Sequence, residues 1–245
     1  MACAVIASVG PVTLHWAVLP SGERVAEPVQ QLLAQCDETE RARAGAYRRA
    51  ADRYRFVLGA TLVRRLGAAR LGCPPARVRV RRDCPRCAGP HGPPRLADLP
   101  GLYLSVSHSG DLVVLASCPD RWVGVDVQQI PAALEPGVAA LILSPGERRA
   151  GQDWDTAQLI TVWCRKEAVL KCVGSGLMSP MTALTVTGPH EPARVVSGPA
   201  APSPAGAGPV DWRAIELADL PQLPPGYRAA VATGPDRPAR GERAR

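Results

Sequence analysis

Residues 155–174 spell out one helix with both of its ends marked. Asp155 is the residue type that caps a helix start, and Gln158 three positions on completes a capping box. Gly174 stands where a left-handed residue stops many helices. Between them Leu159, Val162, Trp163, Val169, Leu170 and Val173 recur at helical spacing, so one side of this helix must bury itself against another layer. Glu167 and Lys171 are four apart and share a face. The composition makes this segment unusual. The chain holds 29 Lys plus Arg, and its only lysines are Lys166 and Lys171, on either side of Glu167. A lysine retained against such a bias points to a need for a compact ammonium rather than a flat guanidinium fork. A solvated ion pair is the more frequent meaning of a Lys-Glu-Lys pattern, and the scarcity of lysine weighs against it here.

A length of 245 residues allows one large domain or two small ones, and a hydrophobic content of 46% supplies a core. Aromatics make up only 4%, so that core is built of Val, Leu, Ala and Ile. The net charge of +7 suits a phosphate-rich ligand, an acidic protein or nucleic acid without choosing among them. Eight scattered cysteines and no basic, uninterrupted apolar leader imply reduced thiols and a cytoplasmic protein. No apolar run reaches the ~20 residues of a membrane helix.

Along the chain, residues 12–19 read as a first strand. Residues 27–71 read as helical, with an acidic start at Asp37-Glu38-Thr39-Glu40 followed by arginines, Arg43 and Arg55 among them. Residues 71–100 are irregular. Cys84-Pro85-Arg86-Cys87 with His91 invites a zinc reading, but a closed site normally shows two ligand pairs and only one is present. Residues 102–106 and 112–116 alternate or run apolar as strands, which places His108 at the tip of a hairpin between them. In Val123-Gly124-Val125-Asp126-Val127-Gln128 the valines take one face, and Gly124, Asp126 and Gln128 the other. A carboxylate in a valine strand needs a partner or a metal, and Gly124 beside it leaves room for a ligand. Residues 131–149 read as a helix ending in Ser144-Pro145-Gly146-Glu147, and Gly174-Ser175-Gly176-Leu177 as a flexible exit. Strands are expected at 184–187, 212–217 and 227–233, a mobile loop at 197–209 and a polar tail from 234. Asp126 on a strand and Glu167 on a helix suit Mg²⁺ together with phosphate oxygens. No GxxxxGK[ST] loop occurs, which argues against an ordinary NTPase.

Ser107-His108-Ser109-Gly110, then Val123-Gly124-Val125-Asp126, then Trp163-x-x-Lys166-Glu167-Ala168-x-x-Lys171-x-x-Gly174-x-Gly176-Leu177 resemble the ordered motifs of the 4'-phosphopantetheinyl transferase family. The likeness is to its longer, single-chain, surfactin-synthetase-activating type. Arg55-Phe56-Val57-Leu58-Gly59 and Pro90-His91-Gly92-x-Pro94 resemble its earlier motifs. The resemblance implies an α+β fold in a pseudo-twofold arrangement of two similar halves, residues 1–128 and 129–235, with coenzyme A in the cleft between them. Residues 236–245 remain as a disordered basic tail. It implies a monomer that moves the phosphopantetheine arm of coenzyme A to a serine of an apo acyl or peptidyl carrier protein, releasing adenosine 3',5'-bisphosphate. Asp126 and Glu167 match the magnesium ligands. Glu167, directly or through a water, would help deprotonate the serine. Lys166 and Lys171 match groups that stabilise the breaking pyrophosphate. Arg43, Arg55, Ser107 and His108 match coenzyme A contacts.

Two positions depart from the pattern. Gln128 stands where the family commonly has a second acid, so it is a weak ligand or holds a metal-bound water. Pro93 stands where the family usually offers Lys or Arg, and Arg95 or Arg86 would have to compensate. A non-catalytic basic module that binds nucleic acid, or one that only docks carrier proteins, is the competing class. It leaves Asp126 unexplained, and so few aromatics argue against base stacking.

Overall fold

A computed structural model describes residues 4–19, 26–84, 87, 89–90, 92–148, 153–174, 179–200, 209–220 and 222–236. The chain divides into two compact units, Met1–Pro119 and Asp120–Arg245. The division falls before the strand that carries Asp126, whereas the sequence placed it after residue 128. The mix of helices and antiparallel sheets is α+β. Among the described residues no helix is long and apolar enough to cross a membrane.

The first unit is built from β1 (Ala4–Val9), β2 (Val12–Val18), α1 (Ala26–Leu33), α2 (Glu38–Gly45), α3 (Ala50–Leu71), β3 (Val80–Arg81), β4 (Arg95–Leu96), β5 (Leu102–Ser109) and β6 (Leu112–Pro119). Its main sheet runs β1-β2-β6-β5, antiparallel throughout. Helix α3 lies on β5 and β6 and buries Val57, Leu62 and Val63 with Val113 and Leu115. The continuous helix expected over 27–71 is three helices. The reason is local: Asp37 has extended backbone and its side chain accepts the Glu40 amide at 2.8 Å, so it starts a new helix.

The second unit contains β7 (Arg121–Gln129), α4 (Val138–Ile142), α5 (Pro145–Arg148), α6 (Thr156–Cys172), β8 (Thr185–Val186), β9 (Val195–Ser197), β10 (Glu216–Asp219) and β11 (Tyr227–Asp236). Its sheet runs β10-β11-β7, again antiparallel. Helix α6 packs across β7 and β11. The capping box at its start is complete: Asp155 Oδ1 accepts the Gln158 amide at 2.8 Å, and Gln158 Oε1 accepts the Asp155 amide at 3.1 Å. Gly174 follows its end with φ 71°, in the left-handed region that favours glycine.

Four expectations change here. Among the described residues 131–148 the helix expected over 131–149 is only the short α4 and α5, separated where Pro145 starts a new turn after Leu143 leaves the helix. The strand expected at 212–217 begins as a 3-10 turn, Trp212–Ala214, because Asp211 accepts the Arg213 amide at 3.0 Å. The strand expected at 184–187 shortens to β8. The tail expected from 234 starts later, because residues 234–236 continue β11; the exit at Ser175-Gly176-Leu177, most of the loop at 197–209 and the residues beyond 236 lie outside the described residues.

Candidate active site

Strand β7 carries the alternation that the sequence indicated, with Val123, Val125 and Val127 on one face and Gly124, Asp126 and Gln128 on the other. Both faces are covered, and Asp126 is 2% exposed. Gly124 serves a different purpose from the one expected. A Cβ there would lie 2.0 Å from the Ala168 carbonyl oxygen and 2.4 Å from the Cys172 amide nitrogen. The space beside Asp126 is therefore filled by the backbone of α6 rather than left open for a ligand. This close approach puts the last two turns of α6 directly on the strand.

The consequence is a compact charged cluster. Lys171 reaches from α6 to Asp126 Oδ1 at 2.6 Å and to the Val125 carbonyl at 3.1 Å. The Gln128 amide donates to Asp126 Oδ2 at 3.1 Å. Glu167, one turn before Lys171, belongs to the same cluster. Its burial raises its carboxyl above the usual range, Lys171 opposes that rise, and the charge of Asp126 reinforces it. A carboxyl held up by burial and by a second carboxylate gains from a nearby cation. Two carboxylates and an amide oxygen are hard donors that fit Mg²⁺, which takes one or two carboxylates and fills its remaining positions with phosphate oxygens and water. No group of three His, Cys, Asp or Glu side chains is gathered for a metal among the described residues.

Lys166 is elsewhere. It is fully buried, and its ammonium donates to the Ile142 carbonyl at 2.7 Å, Glu147 Oε2 at 2.6 Å and the Met181 carbonyl at 3.1 Å. Three protons meet three acceptors, which leaves none for a substrate phosphate. Arg165, just before it, is also buried. It grips Asp219 through two bonds, at 2.9 and 2.6 Å, and the carbonyls of Thr187, Gly188 and Glu191. The sequence reading missed Glu147 and Arg165. The signal for Glu147 was present: Ser144-x-x-Glu147 is a capping-box pattern, and it is made, with Ser144 N donating to Glu147 Oε2 at 2.7 Å and Glu147 N to Ser144 Oγ at 3.3 Å.

In the first unit, β5 continues to Ser109 and the hairpin turn is only Gly110 and Asp111. His108 is thus a strand residue paired with Val113, not a tip residue, and it is exposed, whereas Ser107 beside it is buried. Arg55 donates to the Gly110 carbonyl at 2.5 Å and to Asp52 at 2.6 Å, so it braces this hairpin. Arg43 lies over the Phe56 ring at 4.9 Å and borders a groove of about 540 Å³ with Glu38, Thr39, Ala42 and Pro90. Arg82, which the sequence reading did not single out, lies on the same ring at 6.0 Å and pairs with Glu40 at 3.6 Å, while its Nε is buried with no hydrogen-bond partner among the described residues. Cys84 and Cys87 belong to the loop between β3 and β4, while Arg86 and His91 lie outside the described residues.

Comparison with known proteins bears on the same segment. Residues 122–232 match the sequence model of the 4'-phosphopantetheinyl transferase superfamily. The chain is 28% identical over 219 residues to the 4'-phosphopantetheinyl transferase ffp of Bacillus subtilis, covering 86% of this chain and 88% of that protein. It is 27% identical over 180 residues to the 4'-phosphopantetheinyl transferase HetI of a Nostoc species, covering 70% and 73%. A further 4'-phosphopantetheinyl transferase of Bacillus subtilis is 25% identical over 161 residues, covering 64% and 68%.

Proposed function

We propose that this chain, whose residues 122–232 match the sequence model of the 4'-phosphopantetheinyl transferase superfamily, moves the phosphopantetheine arm of coenzyme A onto a serine of an apo acyl or peptidyl carrier protein. The observation that carries this reading is the meeting of Asp126 and Lys171 at 2.6 Å, with Glu167 in the same cluster, all inside the matched segment. Mg²⁺ is the cation we assign to Asp126 and Glu167. When bound it would neutralise the pyrophosphate and favour departure of the nucleotide.

The side chains divide the remaining work. The serine oxygen forms a bond to the phosphorus that carries the arm, and the bond from that phosphorus to the bridging oxygen breaks. Adenosine 3',5'-bisphosphate leaves with the electron pair. The serine proton passes to Glu167, directly or through a water. Lys171 holds Asp126 in place and puts positive charge beside the transferred phosphoryl group. Gln128 orients the Asp126 carboxylate rather than adding a third charge. Arg43, Arg82, Ser107 and His108 are our candidates for phosphate contacts. Arg55 takes part by bracing the hairpin that carries Ser107 and His108.

The two units also support the reading of similar halves. Each lays one long helix on an antiparallel sheet, and each long helix buries an arginine, Arg64 in α3 and Arg165 in α6, against carboxylates and loop carbonyls. The reading is tested by incubating the protein with coenzyme A, Mg²⁺ and an apo carrier domain and weighing the carrier. It predicts a gain equal to the arm and no gain when a chelator is present. A carrier of unchanged mass across several acyl and peptidyl carrier domains would refute it.

A further inference from the structure

We infer that Lys166 and Glu147 act as a buried positioning pair that fixes the placement of Glu167. The inference rests on the transferase reading above and assigns Lys166 a role different from the donor contact implied by its motif. Lys166 immediately precedes Glu167, yet it is 0% exposed and all its protons are engaged within the fold. Its partner Glu147 is used just as completely. Oε2 accepts the Ser144 amide at 2.7 Å together with the Lys166 ammonium, and Oε1 accepts the Val186 amide at 2.9 Å.

One ammonium and one carboxylate therefore join the end of α4, the start of α5, the 3-10 turn Met181–Ala183 and β8 to the middle of α6. A second attachment lies on the sheet side of the helix. There Lys171 bonds β7 at Asp126 and Val125, and the Gly124 contact leaves the helix backbone no room to slide. Glu167 sits in sequence between these two attachments. Arg165 also ties this helix to Asp219 and the Thr187 carbonyl, so loss of the Lys166 attachment would not free the helix but would loosen its rotation about its axis, and a rotation of a few degrees displaces a carboxylate by a sizeable fraction of an ångström. A displacement on the order of 1 Å at a reacting centre can cost roughly a hundredfold in rate. Lys166 thus acts on Glu167 through the helix and never touches the donor.

The test compares Lys166→Met, Glu147→Gln and the double variant, with transfer rates normalised to folded protein. The expected result is a loss of roughly tenfold or more in kcat for each single variant, with KM for coenzyme A within about twofold of the parent. The double variant should lose no more than the worse single one, since the two residues work as a unit, and should melt above both singles because no buried charge is left unpaired. A KM for coenzyme A raised tenfold in Lys166→Met alone would overturn the inference and restore Lys166 to the donor site. Unchanged kcat in folded single variants would overturn it as well, by reducing the pair to a purely structural one. Failure of the parent protein to transfer the arm would refute the transferase reading. In that event additive melting losses in the double variant would also refute the pair.

Discussion

A methyl group on Gly124 would fall 2.0 Å from one backbone atom of α6 and 2.4 Å from another. Neither can rotate aside as a side-chain tip would, so the helix itself would have to move. Gly124→Ala is expected to cost about 3 kcal/mol or more of stability and to abolish transfer in whatever remains folded, measured by urea unfolding and by the carrier mass shift. A second residue-scale prediction concerns His15. Burial lowers its pKa below the ordinary 6.5, and the charge of Arg70 acts in the same direction. The unfolded chain therefore takes up this proton at a higher pH than the folded one. Stability from this site is complete above pH 6.5 and falls as the pH drops through the folded pKa. His15→Gln should flatten the decline in melting temperature between about pH 7 and pH 5. The acid–base partners at this scale were only partly legible in the sequence. Asp126 stood out because a valine strand isolates it. The use of Gly124 did not, because a glycine beside a carboxylate looks the same whether a ligand or a helix fills the gap.

At the scale of elements, α6 was readable end to end because its caps are written in the sequence as Asp155-x-x-Gln158 and Gly174. Asp155→Ala removes one half of a box that the structure shows complete. It should cost about 1 kcal/mol, or about 2–4 °C in melting temperature for a chain of this size. Arg165→Met should cost more, about 3 kcal/mol by urea unfolding, because the carbonyls of Thr187, Gly188 and Glu191 lose a buried donor. Asp219 is half-exposed and can turn to water, which limits the loss. Arg165 was hidden in the sequence by its company. In a chain that uses arginine for nearly all its positive charge, nothing marks Arg64 and Arg165 as the ones that are buried. The segment before α6 misled for the opposite reason. Ser144-Pro145-Gly146-Glu147 has start-of-helix chemistry, but following an apolar run it read as an end.

For the molecule as a whole, two cores in two units replace the single large domain that the length alone would allow. The boundary was not legible because β6 and β7 follow each other with only Asp120 between them, at φ 55°, and no linker composition marks the change of sheet. The net charge of +7 gives the whole surface a bias toward anions. The KM for coenzyme A is expected to rise as salt is increased from about 0.05 M to about 0.5 M, in steady-state assays, because screening shortens the reach of that charge. The central claim remains that one acid on a strand and one on a helix are brought together to serve a single phosphoryl transfer. The most direct measurement is the transfer rate of Asp126→Ala and Glu167→Ala, with folding checked by circular dichroism. The prediction is a loss of roughly a thousandfold or more in each. A folded variant of either kind that loads the carrier at the parental rate would contradict the account.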